Sequence, residues 1–85
     1  MTLKIERHDT GQIPLLRLIG RLRSEDLEGL REQMRGSETQ MAFDLEEVTL
    51  VDVDAVRFLG SCESNGVRLL HCSPYVREWI RREGQ

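Results

Sequence analysis

The 85-residue sequence lacks several things that would each have named a function. It has no apolar run near the ~20 residues a membrane-spanning helix needs, and its first ten residues, MTLKIERHDT, hold no signal-peptide core. A cytoplasmic protein without direct membrane insertion is the expectation. Cysteine is scarce. Cys62 and Cys72 then stay reduced thiols, and with His71 they match no zinc spacing and fall short of about four ligands, so no metal site is expected. Lysine occurs once, at Lys4, and no Gly-rich loop follows a strand pattern to cradle a phosphate. Basic residues are interspersed with acidic ones at a net charge of −3, which leaves no nucleic-acid footprint. Arg77, Arg81 and Arg82 complement the end of a helix dipole. Repeats, linkers and low-complexity segments are absent, so residues 1–85 read as a single small domain. A chain this short buries only about 60–65% of its unfolded surface.

What is present is best seen between Met41 and Gly60. A short apolar run, Met41-Ala42-Phe43, ends on Asp44; the pair Glu46-Glu47 reads as a turn; and a second apolar run, Val48 to Val51, ends on Asp52. The period then changes. Ala55, Phe58, Leu59 and Cys62 recur at i, i+3, i+4 and i+7, the stripe of an amphipathic helix, with Arg57, Ser61 and Ser64 opposite. Asp52 is placed to cap that helix and Asp54 to sit in its first turn, near the positive end of its dipole. Two readings are open: the aspartates simply start a helix, or the helix start is a recognition surface.

Along the rest of the chain, Leu3 and Ile5 alternate with Lys4 and Glu6 as a half-exposed edge strand. His8-Asp9-Thr10-Gly11-Gln12 reads as a turn, with Gly11 available for a left-handed conformation. Ile13 to Leu22 reads as a second strand, hairpinned to the first, with Leu16, Leu18 and Leu22 on one face, Leu15, Arg17, Ile19 and Arg21 on the other, and Pro14 at its start or on an unpaired edge. Ser24 is the expected N-cap of a helix reaching about Arg35, with stripe Leu27, Leu30 and Met34 and with Gly36 as its C-terminal stop. Gly29 weakens that helix. Asn65-Gly66 ends the second helix, Val67 to His71 forms the last strand, and Ser73-Pro74 opens a third helix that buries Val76, Trp79 and Ile80 and stops at Gly84. The order β-β-α-β-α-β-α, with helices between strands, favours right-handed crossovers and a mostly parallel α/β sheet carrying one antiparallel edge.

Phe43-Asp44-Leu45 and Val48-Thr49-Leu50-Val51-Asp52 give the central stretch its resemblance to the STAS domain, the family of bacterial anti-sigma factor antagonists. Gly20-Arg21-Leu22 before the first helix resembles the family too. The family continues Asp-Ser-Ser-Gly-Leu where this chain has Asp52-Val53-Asp54-Ala55-Val56, so Asp54 occupies the position of the phosphorylatable serine. The resemblance implies a small STAS-like mixed β-sheet fold and a non-catalytic interaction module without cofactor, active in transcription regulation. It implies a protein partner, an anti-sigma factor with a kinase fold. The contact residues it implies are Asp52, Val53, Asp54, Ala55 and Val56, with Arg21 to Ser24 nearby, and no residue for phosphorylation. A phosphate brings roughly −1.5 to −2 charges; Asp54 brings one, either as a permanent partial mimic or as the mate of a basic residue on the partner. Stand-alone STAS-like chains also serve as accessory subunits of lipid-transport ABC systems or as ligand-sensing modules.

Enzyme chemistry finds little support. His8 and His71 stand outside any serine or cysteine motif except the adjacent Cys72, and neighbours on a strand point to opposite faces. Asp44, Glu46, Asp52 and Asp54 are the remaining acidic set near strand ends, where carboxylates can hold Mg²⁺. A receiver-type site also needs a lysine at a later strand end, and this chain has none there.

Overall fold

The computed structural model describes residues 3–9, 13–35 and 40–84. Four strands form one sheet in the order β1-β2-β3-β4. β1 (Leu3–Asp9) is antiparallel to β2 (Pro14–Leu22), while β3 (Ala42–Val51) runs parallel to β2, and β4 (Arg68–Leu70) parallel to β3. A 3₁₀ turn, Ser24–Asp26, leads into α1 (Leu27–Met34); α2 is Val53–Ser64 and α3 is Pro74–Glu83. This is the expected order, a mixed α/β sheet with one antiparallel edge strand. No helix among the described residues is long and apolar enough to cross a membrane.

The period-two pattern of β2 sets the layers. Leu16, Leu18 and Leu22 are fully buried and join Phe43 and Leu45 of β3, Leu27, Leu30 and Met34 of α1, and Ala55, Val56, Leu59 and Cys62 of α2 in one core. The helices therefore cover one face of the sheet. On the other face Leu15, Arg17 and Ile19 are half-buried and Arg21 is exposed. Leu69, Val76 and Trp79 pack on the core edge only partly buried. α2 and α3 meet closely at Gly60, where an added Cβ would lie 3.3 Å from Ile80 Cγ2.

Several boundaries differ from the sequence reading, each for a definite reason. His8 and Asp9 belong to β1, paired with Leu15 and Pro14, because the hairpin extends the ladder beyond the apolar alternation. Thr10, Gly11, Gln12 and the helix stop Gly36 lie outside the described residues. Pro14 opens β2, where its missing N–H costs no ladder bond. Glu46-Glu47 is not a turn. β3 runs unbroken through it, with register shifts against β2 between Arg17 and Ile19 and again between Gly20 and Arg21. The Asp44 carboxylate accepts from the Glu46 N–H at 3.0 Å, which satisfies a backbone donor at the first irregularity. Gly20 takes φ 103 at the second, a conformation that favours glycine.

Ser24 is the first residue of the 3₁₀ turn and not an N-cap. Asp26 reaches back instead, accepting from the Arg23 N–H at 3.0 Å. Arg7 of β1 donates to the Gln33 carbonyl at 2.9 Å, satisfying a free acceptor in the last turn of α1. The ends of α2 and α3 follow expectation. Gly66 at φ 105 lets the Val67 N–H bond the Cys62 carbonyl and its own N–H bond that of Glu63, a Schellman stop. Ser73 accepts from the Val76 N–H, with Pro74 beginning α3. β4 is shorter than Val67–His71: His71 turns to φ 56 and leaves the strand.

Candidate functional site

The start of α2 is built on one carboxylate. Asp52 is in extended conformation, and its Oδ1 accepts from the Ala55 N–H at 2.9 Å, the N-cap bond the sequence predicts. Its Oδ2 accepts from the Ser24 N–H at 2.8 Å. A single side chain thus ties the β2–α1 connection to the β3–α2 junction, across 28 positions of sequence. Partial burial pushes the Asp52 carboxyl up, but hydrogen bonds from Ser24 and Ala55 outweigh it and hold the group below the usual carboxylate range.

Around this anchor the surface is mixed. Asp54 is exposed in the first turn of α2, and its carboxylate makes no hydrogen bond or ion pair among the described residues. Val53 is 37% exposed and Leu50 47%. Arg21, also exposed, is the cross-strand partner of Leu50 in the β2–β3 register, and Ser24 is exposed beside the Asp52 anchor. Ala55 and Val56 are a different matter. Both are fully buried on the core stripe of α2, so neither presents a surface to a partner in this structure. Helical periodicity decides this: one turn of α2 cannot expose five consecutive residues. Leu50 was missed in the sequence because it lies in an apolar run; the only hint is Arg21, which its register brings alongside.

Ser24 and Asp54 also stand at one end of an open groove between α1 and α2, of about 1010 Å³. Leu27, Met34 and Phe58 line it, and the Arg31 guanidinium stacks 4.9 Å from the Phe58 ring centroid. Cys62 lines it too, its thiol pushed up to about 11 by burial, and so acts as an apolar group.

The four candidate carboxylates do not converge. Asp52 and Asp54 lie at the end of β3, whereas Asp44 and Glu46 lie roughly 20–25 Å back along the strand. Asp44 is buried, 5% exposed. Its Oδ1 faces His71 Nδ1 at 3.1 Å, and its Oδ2 lies 3.7 Å from Arg17 Nε. Burial raises the Asp44 carboxyl, yet bonds from Glu46 and His71 and the charge of Arg17 bring it below the ordinary value. Because His71 has left β4, it no longer alternates with Cys72 as a strand neighbour. No nucleophile is hydrogen-bonded to either histidine among the described residues; His8 Nε2 lies 3.6 Å from Glu6.

No protein-family model and no curated protein matches the sequence. Solved structures do. The anti-sigma factor antagonist SpoIIAA in its unphosphorylated form superposes with a TM-score of 0.72 at 18% identity, over 95% of this chain and 81% of that one. An antisigma-factor antagonist STAS domain from Rhodobacter sphaeroides gives 0.57 at 15% identity, over 81% of this chain and 84% of the other. The chain has a STAS-like fold.

Proposed function

We propose that this chain is a non-catalytic, cytoplasmic docking module of the anti-sigma factor antagonist kind, acting in transcription regulation as one domain. It meets its protein partner, an anti-sigma factor with a kinase fold, at the start of α2. The contact surface comprises Arg21, Ser24, Leu50, Val53 and Asp54, with Asp52 as the anchor beneath it. The observation that carries this reading is the pairing of two exposed large apolar side chains, Leu50 and Val53, with the uncompensated Asp54. Exposed apolar area rimmed by charge is the makeup of a recognition patch. The likeness to two antagonist structures supports the module class, although fold alone does not assign function.

Asp54 stands where the resemblance places a phosphorylatable serine. It carries a fixed negative charge there and offers no hydroxyl, so docking on this reading is set by the partner's own charge, not by a phosphate on this chain. The test is copurification from the native host, wild type beside Leu50→Glu/Val53→Glu. A kinase-fold partner that is retained by the wild type and lost by the double variant supports the reading. The same partner held equally by both would remove the α2 start from the interface, and recovery of a membrane-associated ATPase would assign the module to transport.

A further inference from the structure

The open side of the sheet holds a second constellation that the docking surface does not use. Asp44, Glu46 and His71 each offer a ligand atom, and these atoms lie within 4.8 Å of one another. They come from distinct settings: Asp44 from within β3, Glu46 from its irregularity, and His71 from the left-handed residue that follows β4. The parallel register pairs Asp44 with Leu70, which delivers the next residue, His71, to the Asp44 carboxylate.

The chemistry of the donor set is selective. One imidazole and two carboxylates suit a borderline first-row divalent ion, whereas Mg²⁺ and Ca²⁺ favour all-oxygen shells. The 3.1 Å between His71 Nδ1 and Asp44 Oδ1 approaches the edge of a coordination tetrahedron, roughly 3.4 Å for bonds of about 2.0–2.2 Å. The two oxygens of Asp44 are differently engaged. Oδ2 is turned to Arg17, whose Nη1 is drawn 3.7 Å from Glu47, and Oδ1 both faces the imidazole and accepts from the Glu46 N–H at 3.0 Å. Arg17 is shared between Asp44 and Glu47, and Glu46 adds a further carboxylate beside Asp44 and His71. Glu46 and His71 are exposed, which leaves the ion a way in.

We propose that Asp44, Glu46 and His71 form a binding site for a Zn²⁺-class divalent ion, with a further coordination position left to water. In the form that donates to Asp44, His71 carries its proton on Nδ1; on binding that proton passes by way of solvent to Nε2, the freed Nδ1 lone pair goes to the ion, and the Nδ1–Asp44 hydrogen bond gives way to two coordinate bonds. The site joins β3 to the β4–α3 connection, at a place separate from the start of α2.

The experiment is a calorimetric titration of the full chain with Zn²⁺ alone, in a background of millimolar Mg²⁺, with amide NMR shifts recorded in parallel. The expected result is one-to-one binding, with shifts centred on residues 44, 46 and 71. His71→Ala and Glu46→Gln, both at exposed positions, each lower affinity about tenfold or more, while melting curves confirm that they fold. His8→Ala leaves binding unchanged, as does Cys72→Ser, which removes the neighbouring thiol. Equal affinity in wild type and His71→Ala overturns the proposal. So does loss of binding in Cys72→Ser, saturable Mg²⁺ in place of Zn²⁺, or no saturable binding of Zn²⁺.

Discussion

Asp52→Ala is the sharpest test of how the start of α2 is held. The substitution removes two acceptors at once. Loss of an Asp N-cap costs about 0.5–2 kcal/mol, typically about 1, and here the bond lost is Ala55 N–H to Oδ1 at 2.9 Å. The second bond, Ser24 N–H to Oδ2 at 2.8 Å, joins two connections and has a charged acceptor. Such bonds contribute about 1.5–3 kcal/mol; Ser24 is exposed and water can replace the acceptor, so the lower end applies. The two together predict a loss of about 2–3 kcal/mol. For a domain this size each kcal/mol lowers the melting temperature by roughly 4–8 °C, so a drop on the order of 10–20 °C is expected. Asp52→Asn separates the two bonds. Its amide oxygen can still cap Ala55, but its NH₂ group then faces the Ser24 N–H, donor against donor, so it falls between wild type and alanine. The assay is denaturant unfolding with thermal melts for the three proteins. A loss below about 0.5 kcal/mol in Asp52→Ala would show that the two hydrogen bonds do not hold the junction.

Three further outcomes are expected. Leu59 is fully buried in α2 against the sheet, and Leu59→Ala should cost about 2–5 kcal/mol in denaturant melts; a change under about 0.5 kcal/mol would contradict its place in the core. Gly29 is exposed in α1, and a Cβ there meets nothing within 4 Å, so Gly29→Ala should raise stability by about 0.5–1 kcal/mol, and a destabilised variant would show a packing role for the glycine. The folded-state value of Asp52 is depressed, so the stability it contributes is present above its unfolded value of about 3.9 and is lost as pH falls through the lower folded value. Asp52→Asn should therefore show a shallower loss of stability below about pH 4 than wild type, and parallel pH profiles would count against the assigned hydrogen bonds.

The parts of the fold legible in the sequence were those governed by local period. Leu16, Leu18 and Leu22 gave the core face of β2, and Ala55, Phe58, Leu59 and Cys62 gave the phase of α2, because each pattern is set by the geometry of its own element. The caps Asp52 and Ser73 were legible for the same reason: acceptor and donor are three residues apart. What was not legible depended on distant partners. Glu46-Glu47 looks like a turn until the register with β2 shows β3 continuing past it through an irregularity. Ser24 looks like an N-cap, but its N–H is claimed by Asp52, and Asp26 takes over the local role at Arg23. At the site, the sequence places Asp54 in the first turn of α2, where it is exposed, whereas Leu50 required the β2–β3 register and Ala55 and Val56 required the helix phase to be applied strictly. His71 beside Asp44 is a product of β4 pairing, 27 positions away, which no local pattern encodes.

The central claim is that Asp54 serves recognition and not stability, and a matched pair of curves on Asp54→Ser tests it: a melt, and a titration against the partner recovered by copurification. Exposed and unpaired in the first turn, Asp54 loses only its interaction with the helix dipole, so stability should change by less than about 1 kcal/mol. Removal of its charge from an interface should shift affinity by two or more decades, equivalent to about 2.8 kcal/mol or more. Affinity rises if the aspartate acts as a phosphate mimic that repels the partner, and falls if the partner presents a basic residue to it. A variant that is strongly destabilised yet binds with unchanged affinity would contradict the account and make Asp54 a structural residue of the helix start.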